Sequence, residues 1–221
     1  MQFIHETPRS LGGVKDLENT LSRALMKHSR VLWLVCGGSS IPKIAATMHG
    51  IPSGFSAKLH VMLTDERYGK PGHQDSNYQQ LADAGFDVKQ GEFLPALQSG
   101  LSLEQTAAAY AERFQTEAAA AGFIIATFGI GPDSHIAGIL PHSAAATAKG
   151  SAAGYDAGQF KRLTLTFPAL KRIDIAYAFA YGTAKKPALS KLKDTDAALI
   201  DQPCQILKLI PESYVYNDSI A

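Results

Sequence analysis

Four short apolar runs, Val31 to Cys36, Leu59 to Leu63, Phe123 to Phe128 and Ile173 to Tyr181, each stop abruptly at a polar or glycine-rich cluster. Predominantly apolar runs, broken only by His60, Thr127 and Asp174, suit strands buried on both faces, the pattern of a parallel sheet. Helical spacing separates them. Val14, Leu17, Leu21, Ala24 and Leu25 recur at that period before the first run, and the alanine-rich stretch Ala107 to Ala121 carries Tyr110 and Phe114 four apart before the third. Pro42, just after Ser39 and Ser40, suits the opening turn of a helix with a serine as cap. Thr183 and Pro187 similarly mark a helix running toward Lys193. Strands alternating with helices predict an α/β fold: a mostly parallel, doubly wound (Rossmann-like) open sheet with helices on both faces. The segment Thr147 to Gln159, with three glycines among small residues, reads as a surface loop, either mobile or a plain connection.

Composition narrows the remaining classes. With 221 residues, 46% of them hydrophobic and 19% charged, the expectation is one domain over residues 1–221. A formal net charge of +1 without any basic cluster argues against a nucleic-acid or acidic membrane partner and leaves a small molecule. No apolar run reaches the length of a membrane span, and Met1 to Arg9 holds His5, Glu6 and Arg9 rather than a leader's apolar core, so a cytoplasmic location is expected. Cys36 and Cys204 read as buried reduced thiols. No residue set has convincing metal-ligand spacing, so neither metal nor cofactor is expected.

The chemistry sits at the strand ends. Gly37-Gly38-Ser39-Ser40, Asp65-Glu66-Arg67, Asp133-Ser134-His135 and Gly182-Thr183-Ala184-Lys185 each follow a predicted strand. In a parallel sheet those ends share one rim, where open α/β sheets bind their ligands. A glycine loop at a helix start beside Arg67 and Lys185 suits a phosphate, and thus a phosphorylated metabolite. His135, on a glycine-rich turn two residues after Asp133, is the first candidate for catalysis. Asp65 and Glu66 have alternative readings as residues that end a strand and pair with nearby bases. His5, His28, His49, His60, His73 and His142 read as bystanders, and Trp33 as core.

These clusters, together with Asp75-Ser76-Asn77-Tyr78 and Arg162-Leu163-Thr164-Leu165-Thr166, resemble in their order the motifs of the 6-phosphogluconolactonases. The resemblance runs from about Val31 to the carboxyl terminus. The related glucosamine-6-phosphate deaminases share the Asp-x-His turn, and Ile136-Ala137 is similar to theirs. Arg67, Ser76-Asn77 and the Arg-x-Thr-x-Thr segment are similar to the lactonase side. The resemblance implies hydrolysis of 6-phospho-D-glucono-1,5-lactone to 6-phosphogluconate in the pentose phosphate pathway. It implies His135 as the base that takes a proton from water, Asp133 as a residue orienting either the imidazole or the backbone of the turn, and amides of Gly37, Gly38, Ser39 and Ser40 as candidates near the developing oxyanion. Asp65 would line the substrate site, while Arg67 and Lys185, with Arg162 third, would hold the phosphate. A deaminase or isomerase on an amino sugar phosphate, and a non-catalytic sugar-phosphate sensor, are the alternatives. Three positions depart from the pattern: Tyr68-Gly69 stands in place of Val-Pro, Gly138 in place of a serine, and Ser134 in place of a glycine. If φ at Ser134 is positive, serine costs about 1 kcal/mol there.

Overall fold

The computed structural model describes residues 1–220. The chain opens with strand β1 (Gln2–His5), helix α1 (Gly12–Lys27) and β2 (Val31–Val35), then α2 (Ile41–Gly50), the short α3 (Ser53–Ser56) and β3 (Leu59–Leu63). A three-residue strand β4 (Asp65–Arg67) precedes α4 (Asn77–Asp83), β5 (Glu92–Leu94), α5 (Leu103–Ala120) and β6 (Phe123–Phe128). The remainder supplies β7 (Ala152–Asp156), β8 (Lys161–Leu165), α6 (Phe167–Leu170), β9 (Ile175–Ala180), α7 (Lys186–Asp194) and β10 (Glu212–Asn217).

Seven strands form a parallel sheet in the order β1-β10-β9-β6-β2-β3-β5. The four apolar runs become its four central strands, and Val31 to Val35 are fully buried because both sheet faces are covered. Trp33 is buried as expected, and its indole N–H donates to Thr127 Oγ1 at 2.8 Å, so the polar atom in the core is satisfied. Both cysteines are buried and free, and burial pushes each thiol up to about 12.

From β2 the chain winds toward β3 and β5 on one side, whereas β6, next to β2 on the other side, leads away toward β9 and β10. Connections leaving neighbouring strand ends in opposite directions open a crevice between them. Residues 37–40 and 129–141 leave the sheet at that point.

Four features differ from the sequence reading. β1, β5 and β10 are absent from it: β5 is only three residues long, and β1 and β10 mix polar with apolar positions. A second, antiparallel sheet, β4-β8-β7, packs beside the first. The supposed loop Thr147 to Gln159 contains β7, whose small residues hide the alternation of a strand. Their smallness serves packing instead, because a Cβ on Gly154 would lie 2.8 Å from the Leu103 side chain of α5. Helix α5 also begins earlier than the alanine run, since Ser102 caps it: Ser102 Oγ accepts from Gln105 N and Gln105 Oε1 accepts from Ser102 N.

Candidate active site

A cavity of about 280 Å³ occupies the crevice between the ends of β2 and β6. Gly37, Gly38, Ser39, Asp65, Arg67, His135, Arg162 and Lys185 all line it. Eight of the residues singled out from sequence are therefore brought together from five separate segments. A larger groove of about 870 Å³ lies over Tyr177, Tyr214 and Tyr216 beside α1, but it holds none of these clusters. Within it Tyr177 is hydrogen-bonded to Thr20 and Tyr216 to Asp16.

The turn after β6 sets the imidazole. Gly131 N donates to His135 O at 3.0 Å and Ser134 N to Gly131 O at 2.9 Å, closing a tight loop. Ser134 sits at φ 71°, the left-handed region, so the serine bears the strain anticipated for it. Cys204 N donates to Ser134 O at 3.0 Å and helps hold the strained residue. Ala137, at φ 51°, and His142, at φ 57°, add two more left-handed non-glycine residues to the same loop. Gly131 has no room for a side chain: a Cβ there would stand 2.1 Å from His135 Nδ1 and 2.5 Å from Asp133 Oδ1.

His135 Nδ1 lies 2.6 Å from Asp133 Oδ1, and Asp133 Oδ1 also accepts from His135 N at 3.2 Å. The hydrogen bond from His135 holds the Asp133 carboxyl below its usual range, so it is the ionised acceptor and the shared proton belongs on Nδ1. Nε2 is then the ring nitrogen with a lone pair. Asp133 itself does not line the cavity and supports the ring from the turn's outer side.

The opposite wall comes from the second sheet. Register pairs Asp65 with Thr164 and Arg67 with Arg162, placing two arginines side by side across β4 and β8. Arg67 Nη1 donates to the Asp75 carbonyl at 2.8 Å and its guanidinium lies over the Phe160 ring, 5.1 Å from the centroid. Arg162 Nη1 approaches Asp65 Oδ2 at 3.8 Å. The Nε of each arginine is buried without a hydrogen-bond acceptor. Both side chains also line the cavity, so two guanidinium groups meet in one place, a setting suited to a multivalent oxyanion. Lys185 Nζ donates to Ser39 Oγ at 3.5 Å and has no carboxylate within 4 Å among the described residues. Burial holds its ammonium pKa below the usual lysine range.

Ser40 departs from the expectation. It precedes α2 but its side chain caps no helical amide; it is buried, outside the cavity lining, with Oγ donating to the Phe128 carbonyl at 3.5 Å. The φ of −85° and ψ of −14° at Ser40 continue a helical turn begun at Gly38, so the hydroxyl points to β6 rather than back to the amides.

Two residues matter more than their sequence context suggests. Glu66 is buried and its carboxylate accepts four hydrogen bonds, from Arg67 N (2.6 Å), Asn77 N (2.7 Å), Ser76 Oγ (2.8 Å) and Tyr78 N (3.0 Å). Burial pushes its carboxyl up despite these donors. Asn77, so placed, donates from Nδ2 to Asp65 O at 2.9 Å and to Asp65 Oδ2 at 3.4 Å, and it packs against Gly37, where a Cβ would lie 2.0 Å from Asn77 Oδ1. The Ser76-Asn77 pair marks the place in the sequence, but nothing local shows that Glu66 supports it.

The family described as glucosamine-6-phosphate isomerases/6-phosphogluconolactonase matches residues 11–214. A 6-phosphogluconolactonase of Synechocystis is 30% identical over 162 residues, covering 68% of this chain and 67% of that protein. One from Caulobacter vibrioides is 29% identical over 199 residues, covering 83% and 82%. The crystal structure of a 6-phosphogluconolactonase from Shewanella baltica superposes with a TM-score of 0.82 over 97% of each chain at 17% identity, a likeness of fold. With the match spanning nearly the whole chain, this protein belongs to the glucosamine-6-phosphate isomerase/6-phosphogluconolactonase family.

Proposed function

We propose that residues 1–221 act as one sugar-phosphate-binding unit that hydrolyses 6-phospho-D-glucono-1,5-lactone to 6-phosphogluconate, the reaction for which the relatives are named. The observation that carries this reading is one small cavity lined by His135, which Asp133 supports from behind, together with Arg67, Arg162 and Lys185. Arg67 and Arg162 hold the phosphate, joined by Lys185, whose ammonium has no carboxylate in salt-bridge range among the described residues. Water placed against His135 Nε2 gives up its proton as its oxygen attacks the lactone carbonyl, while Asp133 stabilises the imidazolium that forms. Backbone amides of the Gly37 to Ser39 loop face the developing oxyanion. Collapse of the tetrahedral intermediate breaks the ring C–O bond, and the imidazolium returns the proton to the departing alkoxide. No cofactor or metal enters this scheme.

Deamination of an amino sugar phosphate needs a carboxylate free to move a proton at C2. Asp65 is poorly suited to that: Oδ1 accepts from Thr64 Oγ1 at 3.0 Å, and Oδ2 faces Asn77 Nδ2 and Arg162 Nη1. The deciding experiment is a coupled assay of 6-phosphogluconate formation from freshly prepared lactone, comparing the native chain with H135A. A loss of about 10²- to 10⁴-fold in kcat is expected. Equal rates would remove the histidine mechanism, and a native rate no faster than spontaneous hydrolysis would favour the sensor. Production of ammonia from glucosamine 6-phosphate, abolished by D65N, would favour the deaminase.

A further inference from the structure

We infer that Asp218 is a positioning residue for Lys185, holding the turn that presents the lysine to the phosphate; this rests on the site reading above. β9 ends one residue before Tyr181, and the chain then turns at Gly182, whose φ of 100° is open to glycine and strained for other residues. The Gly182 N–H is shared by both oxygens of Asp218, at 2.9 Å from Oδ1 and 3.2 Å from Oδ2. Lys185 N donates back to Gly182 O at 3.0 Å and closes the turn, so the Asp218 bond fixes the backbone on which Lys185 stands.

Asp218 is itself well anchored. β10 runs parallel to β9 with Asn217 opposite Ala180, which brings the residue after β10 alongside the turn after β9. Asn217 Oδ1 accepts from Ser219 N at 3.0 Å and Ile220 N at 2.7 Å, and Ser219 Oγ donates to Asp218 Oδ1 at 3.0 Å. The Asp218 carboxylate thus engages the backbone of the turn and stays out of salt-bridge range of the Lys185 ammonium, whose charge remains available to an anion. A direct ion pair would have competed with the phosphate. The Asp218 charge still favours the Lys185 ammonium at longer range, but the two form no salt bridge.

The test uses the full chain with D218A, D218N, K185M and the D218A/K185M double variant. Each is assayed for KM and kcat on 6-phosphogluconolactone and for rate on unphosphorylated glucono-1,5-lactone. K185M should raise KM for the phosphorylated lactone tenfold or more (order of magnitude for a charge-assisted contact). D218A should raise the same KM about fivefold, with kcat and the rate on the unphosphorylated lactone within twofold. D218N keeps one acceptor oxygen for Gly182 N–H and should recover most of the loss. The double variant should match K185M, since without the lysine there is nothing to position. The inference alone falls if K185M is impaired while D218A is silent, if D218A adds its full effect to K185M, or if it slows both lactones alike. A K185M enzyme with unchanged KM would overturn the phosphate-site reading, and the inference with it.

Discussion

Replacing Gly131 by alanine isolates the contribution of the Asp133–His135 geometry. The backbone of Gly131 lies outside the left-handed region, so alanine is conformationally permitted there. The conflict is purely between side chains: the new Cβ would lie 2.1 Å from His135 Nδ1, 2.3 Å from His135 Cε1 and 2.5 Å from Asp133 Oδ1. Those approaches fall about an ångström or more inside van der Waals contact, more than a small adjustment can relieve. The ring must rotate away, which breaks the 2.6 Å bond to Asp133 and moves Nε2 off the cavity axis. Loss of an aligned base costs about 10²- to 10³-fold in kcat, equivalent to about 3–4 kcal/mol in the barrier. Gly131 is buried, so the overpacking should also lower folding stability by about 1–3 kcal/mol. Gly129→Ala is the control two residues away. Its Cβ would meet only Ser40 Oγ, at an ordinary 3.4 Å, so it should retain near-native turnover. The assay is steady-state lactone hydrolysis with a thermal melt on each variant. A folded G131A enzyme with kcat within threefold of native, or a G129A enzyme equally impaired, would refute the argument.

Ser134→Gly should relieve the φ of 71° and raise stability by about 1 kcal/mol, read as an increase in melting temperature with turnover retained. Glu66→Gln replaces one acceptor oxygen by an amino group facing donors, and should destabilise the chain by about 2–3 kcal/mol in chemical denaturation. Burial raises the Glu66 carboxyl in the folded state, so its titration disfavours the fold as pH rises through that raised value. Native minus E66Q stability, followed upward from the ordinary carboxylate range, should therefore decline as pH rises toward the raised value. Asp133 has the opposite sign, since its hydrogen bond with His135 lowers its pKa: its contribution is present above the ordinary carboxylate range and lost as pH falls through the lowered folded value. Acid-side melts of H135A should lack that loss.

The turn at Asp133-Ser134-His135 was readable as a site because a buried strand delivering a polar, glycine-rich loop is a local pattern, and Ser134 was readable as strained because a family position favouring glycine implies φ. Whether Asp133 held the imidazole or the backbone of the turn was not legible, and the structure shows it bonded to both His135 Nδ1 and His135 N. Arg162 was harder to weigh. It ranks equal with Arg67 only because β8 lies antiparallel to β4 and sets the two in register across nearly a hundred residues of chain. Ser40 looked like a cap by residue type, yet the helical turn beginning at Gly38 carries its hydroxyl toward β6.

By itself, then, the sequence determined the central strands, most of the helices and the shared rim, because burial on two faces demands largely apolar runs and burial of one helix face demands a period near 3.6. Tertiary structure alone decided which residues became partners: the second sheet that aligns the arginines, the Glu66 carboxylate beneath Asn77, and the reach of Asp218 to the Lys185 turn. Local patterns record whether a side chain is buried. Partner choice between distant segments is set by strand order and register, which no local pattern encodes.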